Sequence, residues 1–218
     1  MVKVIWHGHA CFELQGEKVT VIIDPFKGVG IPDPKAAADI VLCTHSHQDH
    51  NNINAVIGEQ GETLEGFIGS KNIKGIPIKG IASFHDDAKG SKRGRNSIYA
   101  FTLDGLQFCH LGDLGHELTH LTIDEIGDVD VLFVPIGGFF TIDPDTATKI
   151  CEQLNPKIAI PMHYRMPEMH AMFDQLKTVD DFLMGKANVE RAKGPTVNIE
   201  KDKLPKRLTI LVFSLKHA

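Results

Sequence analysis

The sequence predicts an α/β sandwich, sheets inside and helices outside, from three observations. Short strand-like segments recur in both halves of the chain, helical patterns intervene and follow them, and the composition is that of a packed globular protein. Of the 218 residues, 42% are hydrophobic and 23% charged, which excludes a disordered tail, a collagen-like repeat or a coiled coil. At about 150 residues per domain, a chain of 218 residues suits one domain, 1–218, better than two. The 23 basic and 28 acidic side chains net to −5 with no long run of one sign, so the electrostatic footprint of nucleic-acid or membrane binding is missing.

The elements follow in order. Residues 2–6, 10–14 and 19–23 read as short strands, the last two joined across the hairpin signal Gln15-Gly16-Glu17. A buried strand at 39–43 ends abruptly in Thr44-His45-Ser46-His47-Gln48-Asp49-His50, a polar run that no core strand continues. A short helix from about Asn52 is expected next, then small strands through Gly66-Phe67 and Ile76-Pro77-Ile78. The basic, glycine-containing segment 86–96 reads as an exposed, mobile loop. Strands at 97–103 and 106–110 flank Asp104-Gly105, a type I′ turn signal; a short helix near 123–125 leads to a buried strand at 129–135. Asp143-Pro144 is an N-cap with proline at the first helical position. Ala147, Ile150, Cys151 and Leu154 supply the helical stripe, and Asn155-Pro156 stops it. A strand at 157–161, an amphipathic helix at 169–182 and a closing strand at 208–215 complete the chain, with no linker or internal repeat.

Cys11, Cys43, Cys109 and Cys151 include no close pair and read as small core side chains in a reducing compartment. The N-terminus lacks the apolar stretch and cleavage site of a signal peptide, and no segment approaches the ~20 apolar residues of a membrane span. A soluble, cytoplasmic protein with no membrane partner is expected.

Histidine stands out, with 12 residues against 2 Tyr and 1 Trp. His45, His47, Asp49 and His50 form an HxHxDH cluster directly after a buried strand, and imidazole with carboxylate suits Zn²⁺, Fe or Mn. Alternate side chains of an extended segment share a side, so His45 and His47 can reach one ion. Asp49 and His50, at the following turn, are displaced towards a second. A solvated loop or a helix cap accounts for one polar residue but not for three histidines. Three distant residues repeat the pattern of a ligand type ending an apolar run: His85 after Gly80-Ile81-Ala82-Ser83-Phe84, Asp113 after the run from Leu106, and His163 after Ile158-Ala159-Ile160-Pro161-Met162.

With Trp6-His7-Gly8-His9-Ala10-Cys11-Phe12, Ile23-Asp24-Pro25, HxHxDH, Gly112-Asp113 and His163 in place, essentially the whole chain resembles the metallo-β-lactamase superfamily. Within it, the chain is similar to single-domain metal-dependent hydrolases of the L-ascorbate-6-phosphate lactonase-like group. The resemblance implies a four-layer αββα sandwich with a dinuclear metal site at one edge of the sheets. It further implies that His45, His47 and His85 hold one ion, that Asp49, His50 and His163 hold the other, and that Asp113 bridges them. Family members often have Pro-Gly-His-Thr where this chain has Ser83-Phe84-His85-Asp86, so His110 competes with His85; His85 is preferred because His110 lies so close before Asp113.

Two neighbouring divalent ions, zinc being the first expectation and Mn, Fe or Ni accepted by the same ligands, present a metal-bridging hydroxide at neutral pH. The expected reaction is hydrolysis of a small ester, lactone or phosphoester, with Asp49 orienting the hydroxide and His116 or His9 as general acid. Lys89, Lys92, Arg93 and Arg95 suggest an anionic small-molecule substrate. Phe139 and Phe140 suggest an apolar wall, and Tyr164 and Arg165 substrate contacts. His7, His120, His170 and His217 attract no role. Three rival readings are a nucleic-acid phosphodiesterase, a di-iron redox protein and a non-catalytic binding module. The acidic net charge, the lack of a flavin-binding companion domain and the intact ligand set argue against them in turn. Oligomeric state is open, and a homo-oligomer is compatible with the sequence.

Overall fold

A computed structural model describes residues 1–215. Its strands are β1 (Val2–Gly8), β2 (Cys11–Gln15), β3 (Thr20–Ile23), β4 (Ala38–Cys43), β5 (Ile57–Glu65), β6 (Gly69–Ile73), β7 (Ile76–Phe84), β8 (Arg95–Leu103), β9 (Leu106–His110), β10 (Val131–Pro135), β11 (Ile158–Met162), β12 (Val189–Arg191), β13 (Thr196–Ile199) and β14 (Thr209–Val212). The α-helices are α1 (His120–Ile126), α2 (Pro144–Leu154) and α3 (Val179–Leu183). Six strands form a sheet of order β13-β1-β2-β3-β4-β5, and eight form a second of order β12-β14-β11-β10-β9-β8-β7-β6.

Strand direction explains where chemistry can gather. β3 runs parallel to β4, and β9, β10 and β11 run parallel to one another. β8 is antiparallel to both β7 and β9, so β7 also points the same way as β9. The C-terminal ends of β7, β9, β10 and β11 therefore lie along one edge of the larger sheet, and those of β3 and β4 along one edge of the smaller. Apolar runs in these strands are buried on both faces; β10 and β11 have no exposed residue. One core joins the sheets, with the Phe12 and Phe133 ring centres 4.4 Å apart. Tyr99 Oη donates to the Cys43 carbonyl at 3.1 Å, and the Ser97 N–H donates to the Thr44 carbonyl at 2.9 Å, which pins β8 to the end of β4.

Several local expectations hold for their stated reasons. Asp104 and Gly105 take φ of 48° and 77°, the two positive values of a type I′ turn. Asp143 Oδ1 accepts the Thr146 N–H, Pro144 opens α2, and Asn155 closes it in the left-handed conformation. The helix expected from Asn52 is a 3₁₀ turn, Ile53–Ala55.

Others are corrected. Gly66-Phe67 is the link between β5 and β6 rather than a strand, and β5, β6, β12 and β13 went unread because they are short or exposed: Leu64 is the only buried residue of β5. The helix expected over 169–182 reduces to a 3₁₀ turn at Ala171–Phe173 and the short α3, which begins at the capping box Thr178/Asp181. Tertiary pairing overrides the helical period here: the Lys177 N–H donates to the Gly137 carbonyl and the Arg165 N–H to the Lys177 carbonyl, both at 2.8 Å. Segment 86–96 is not a loose loop. Buried Asp86 accepts four backbone N–H groups from Ala88, Gly90, Lys92 and Arg93. No helix among the described residues is long and apolar enough to cross a membrane, and His217 lies outside the described residues.

Candidate metal centre

All seven proposed ligands sit just past strand ends: His45, His47, Asp49 and His50 after β4, His85 after β7, Asp113 after β9 and His163 after β11. The two sheet edges bring them together. Asp113 Oδ2 lies 3.0 Å from His85 Nε2, 3.2 Å from both His50 Nε2 and His163 Nε2, and 3.9 Å from His45 Nε2. Donor atoms within 4.8 Å of one another fall into three groups: His45, His47 and His85; His9, Asp49, His50 and His163; and His45, His50 and Asp113. The first group has the membership the resemblance implies for one ion, the second adds His9 to the membership implied for the other, and the third joins Asp113 to one histidine of each. His47 is exposed and Asp49 half-buried, which places the open side of the cluster at that loop, while the other ligands are buried.

Three residues at the cluster carry an unusual backbone. His9, Asp24 and His163 adopt left-handed φ of 51°, 48° and 52°, a region that non-glycine residues seldom occupy. The His9 carbonyl accepts from Trp6 Nε1 at 3.2 Å and from the His163 N–H at 3.3 Å, which ties the first turn of the chain to the β11 end.

Ring orientation is set by neighbours the sequence reading gave no role. Asp24, buried at the end of β3, accepts from the Thr44 N–H at 2.7 Å, Thr44 Oγ1 at 2.8 Å and His50 Nδ1 at 3.0 Å. Because the Thr44 hydroxyl spends its proton on Asp24, it must accept from His45 Nδ1, 3.0 Å away. Nε2 is therefore the atom that His45 and His50 offer to the centre. Asn96 Oδ1 accepts the Asp113 N–H at 3.0 Å, while its amide donates to Ser83 Oγ and the Leu111 carbonyl. Asp24 repeats the strand-end pattern and was findable by it; Asn96, inside a strand, carries no such mark.

His110 is excluded by the same accounting. Its Nδ1 accepts the Gly112 N–H at 3.1 Å, so its Nε2 donates to the Ala10 carbonyl at 3.0 Å and no lone pair is left for a cation. His85, by contrast, points Nε2 at Asp113 Oδ2 from 3.0 Å. Burial, reinforced by His163, pushes His9 down to about 4; burial and the His50 charge push His45 down to about 3, which favours the neutral ring in both, the form in which His45 can ligate. Burial alone would raise Asp113, but His163, His50 and His85 outweigh it and hold the carboxyl well below the ordinary aspartate range.

The other predicted site residues divide. Phe139 is 47% exposed, and its ring lies 4.8 Å from that of Phe140, whose own ring is 6.4 Å from His163. Tyr164 and Arg165 turn away, which corrects the expectation of substrate contacts. Tyr164 is buried beside Trp6, ring centres 5.7 Å apart, and Arg165 pairs with Asp174 at 2.5 Å and donates to the Met166 carbonyl. His116 stands outside the converging groups: Nε2 accepts the Phe84 N–H at 3.2 Å and Nδ1 faces the Glu117 carbonyl at 2.8 Å, so neither nitrogen is free for a substrate. His9 is fully buried, with Nε2 3.3 Å from Asp49 Oδ2. His7 pairs with Glu13, and His120 and His170 are exposed.

The donor set fits a divalent cation on an observation of its own. His45 Nε2, His50 Nε2 and Asp113 Oδ1 are buried without a hydrogen-bond partner, an arrangement that is costly unless a cation satisfies it. Two packed sheets with clustered imidazoles and carboxylates at their shared edge define a metal-binding α/β protein. Residues 3–163 match the β-lactamase superfamily domain. A UPF0173 metal-dependent hydrolase of Thermoplasma volcanium is 32% identical over 196 residues, covering 75% of this chain and 83% of that relative; one of Thermococcus kodakarensis is 33% identical over 194 residues, covering 75% and 85%. The crystal structure of a Thermotoga maritima protein, described as a candidate zinc-dependent hydrolase of the metallo-β-lactamase superfamily, superposes with a TM-score of 0.82 at 37% identity over 98% of both chains. The chain belongs to the metallo-β-lactamase superfamily, among its metal-dependent hydrolases.

Proposed function

We propose that the cluster holds two divalent ions, zinc in first place, and hydrolyses a small ester, lactone or phosphoester. The observation that carries this reading is Asp113 Oδ2, which faces imidazole nitrogens of both ligand groups at once. His45, His47 and His85 would hold one ion; Asp49, His50 and His163 the other; and Asp113 both. When bound, such a pair lowers the pKa of a shared water towards about 7 and polarises the substrate's carbonyl or phosphoryl oxygen.

The chain's own residues supply order around it. Asp24 and Thr44 hold the His50 and His45 rings, Asn96 holds the backbone of Asp113, and His9 donates to Asp49, which keeps one carboxylate oxygen engaged while the other stays available to orient a nucleophile. His9 is a positioning residue in this reading, since it is enclosed by the rings of His163, His50 and Phe173 and is not at the mouth. A cleft of about 810 Å³ beside His45, bordered by Ser46, Phe84 and Arg95, suits a small molecule.

Replacing Asp113 by Ala or Asn should lower bound metal and abolish hydrolysis in a screen of lactones, phosphoesters, phosphodiesters and thioesters with metal restored. A fully metallated, active variant would sink the bridging assignment.

A further inference from the structure

The four cations of the segment after His85 are not equivalent. Lys92 Nζ pairs with Asp87 at 2.7 Å, while Lys89 and Arg95 are exposed. Arg93 is half-buried, its guanidinium carbon 5.8 Å from the centre of the Phe139 ring and 5.6 Å from that of Phe140. Among the described residues, no carboxylate pairs with that guanidinium.

The position of Arg93 is fixed from two directions. Its N–H donates to Asp86 Oδ2 at 2.7 Å, and Asp86 directly follows His85. Phe140, beneath its side chain, lies against the His163 ring. Arg93 is thus tied to a proposed ligand of each ion. A guanidinium laid over aromatic rings keeps its in-plane N–H donors turned outward, the geometry that takes a planar oxyanion on two parallel bonds.

We propose that Arg93 recognises an oxyanion, a carboxylate or a phosphate, carried by the substrate away from the bond that is cleaved, with Phe139 and Phe140 as its platform. The assignment rests on the hydrolytic reading above and names the substrate class of that same site.

Two 4-nitrophenyl esters of equal length, the glutarate monoester and the pentanoate, separate the roles on metal-loaded protein. The ratio of their kcat/KM values should favour the anionic ester and fall about 10- to 100-fold in Arg93→Ala, mainly through KM, as expected for loss of a charged hydrogen-bonded contact. Arg93→Lys should restore only part. A ratio that Arg93→Ala leaves unaltered overturns the proposal. Calorimetric titration with glutarate, 4-phosphonobutyrate and pentanoate reads the same site without turnover: wild type should prefer one of the two dianions, and Arg93→Ala should lose that preference. No preference in wild type also overturns it. If wild type cleaves neither ester, only the ester arm of the hydrolytic reading fails, the lactone and phosphoester screen decides the rest, and the titration still decides Arg93. Arg93→Met, which keeps the apolar stem, controls for folding through its unfolding midpoint.

Discussion

His45 and His50 reach the centre with their Nδ1 atoms already engaged by Thr44 Oγ1 and Asp24 Oδ2, so the carboxylate of Asp24 sets two imidazoles through one chain of hydrogen bonds. Its removal is costly although it touches no proposed ion site directly. Asp24→Ala should weaken metal affinity by roughly 10- to 100-fold, the usual effect of losing a carboxylate behind a ligating histidine; competition against a chromogenic chelator reads it, and an affinity equal to wild type would show that the ring orientation is set elsewhere. At this scale the proposed ligands were legible because His45, His85, Asp113 and His163 follow apolar runs with a residue that water would otherwise claim, and His47, Asp49 and His50 continue the first of those breaks. Sequence preferred His85 to His110 only because His110 lies so close before Asp113; both end strands of the same sheet, and the hydrogen bonds of His110 to Gly112 and Ala10 supply the physical reason. Tyr164 and Arg165 misled for a related reason: adjacency to His163 in sequence says nothing about the side of the chain on which a side chain emerges.

Among the elements, strands buried on both faces announced themselves and edge strands did not. β10 and β11 are continuous apolar runs, whereas Ile-Gly-Glu-Gln-Gly-Glu-Thr-Leu-Glu of β5 has the polarity of a loop and becomes a strand only because β4 offers it a ladder. The 169–182 segment failed in the opposite sense. Met169 and Phe173 are buried at helical spacing, yet the backbone beyond them is drawn into pairing with Gly137 and Gly138 beside the site. The turn from β9 to Asp113 is tight: a Cβ on Gly112, at φ 56°, would stand 2.3 Å from Asn96 Oδ1 and 2.7 Å from Thr44 Cβ, both of them supports of the ligands. Gly112→Ala should therefore cost about 1–3 kcal/mol of stability and loosen metal binding together, as read by denaturant unfolding and metal content. A variant as stable as wild type with full metal would contradict the close packing of this turn.

Over the whole molecule, two sheets are held together by an apolar core, by bonds such as Ser97 to Thr44 and Tyr99 to Cys43, and at one edge by a polar cluster that is incomplete without cations. Metal bound there as proposed would add to the fold's stability. At a thousandfold excess over Kd, binding contributes about 4 kcal/mol, or roughly 10 °C in melting midpoint for a chain of this size; chelation should lower the midpoint by that order, and a scan indifferent to chelator would speak against a structural contribution. The α/β class was readable because strand and helix periods alternate along the chain. The thinness of its helix, three short α-helices among the described residues, was less readable because tertiary pairing, not local pattern, settled the last third. The most direct test of a two-ion hydrolytic centre is to titrate chelated protein with Zn²⁺ and follow bound metal by native mass spectrometry alongside hydrolysis of whichever ester, lactone or phosphoester the wild type cleaves. Activity should rise with occupancy up to two ions per chain and fail to appear in Asp113→Ala; full activity at one ion per chain, or in protein holding none, would contradict it.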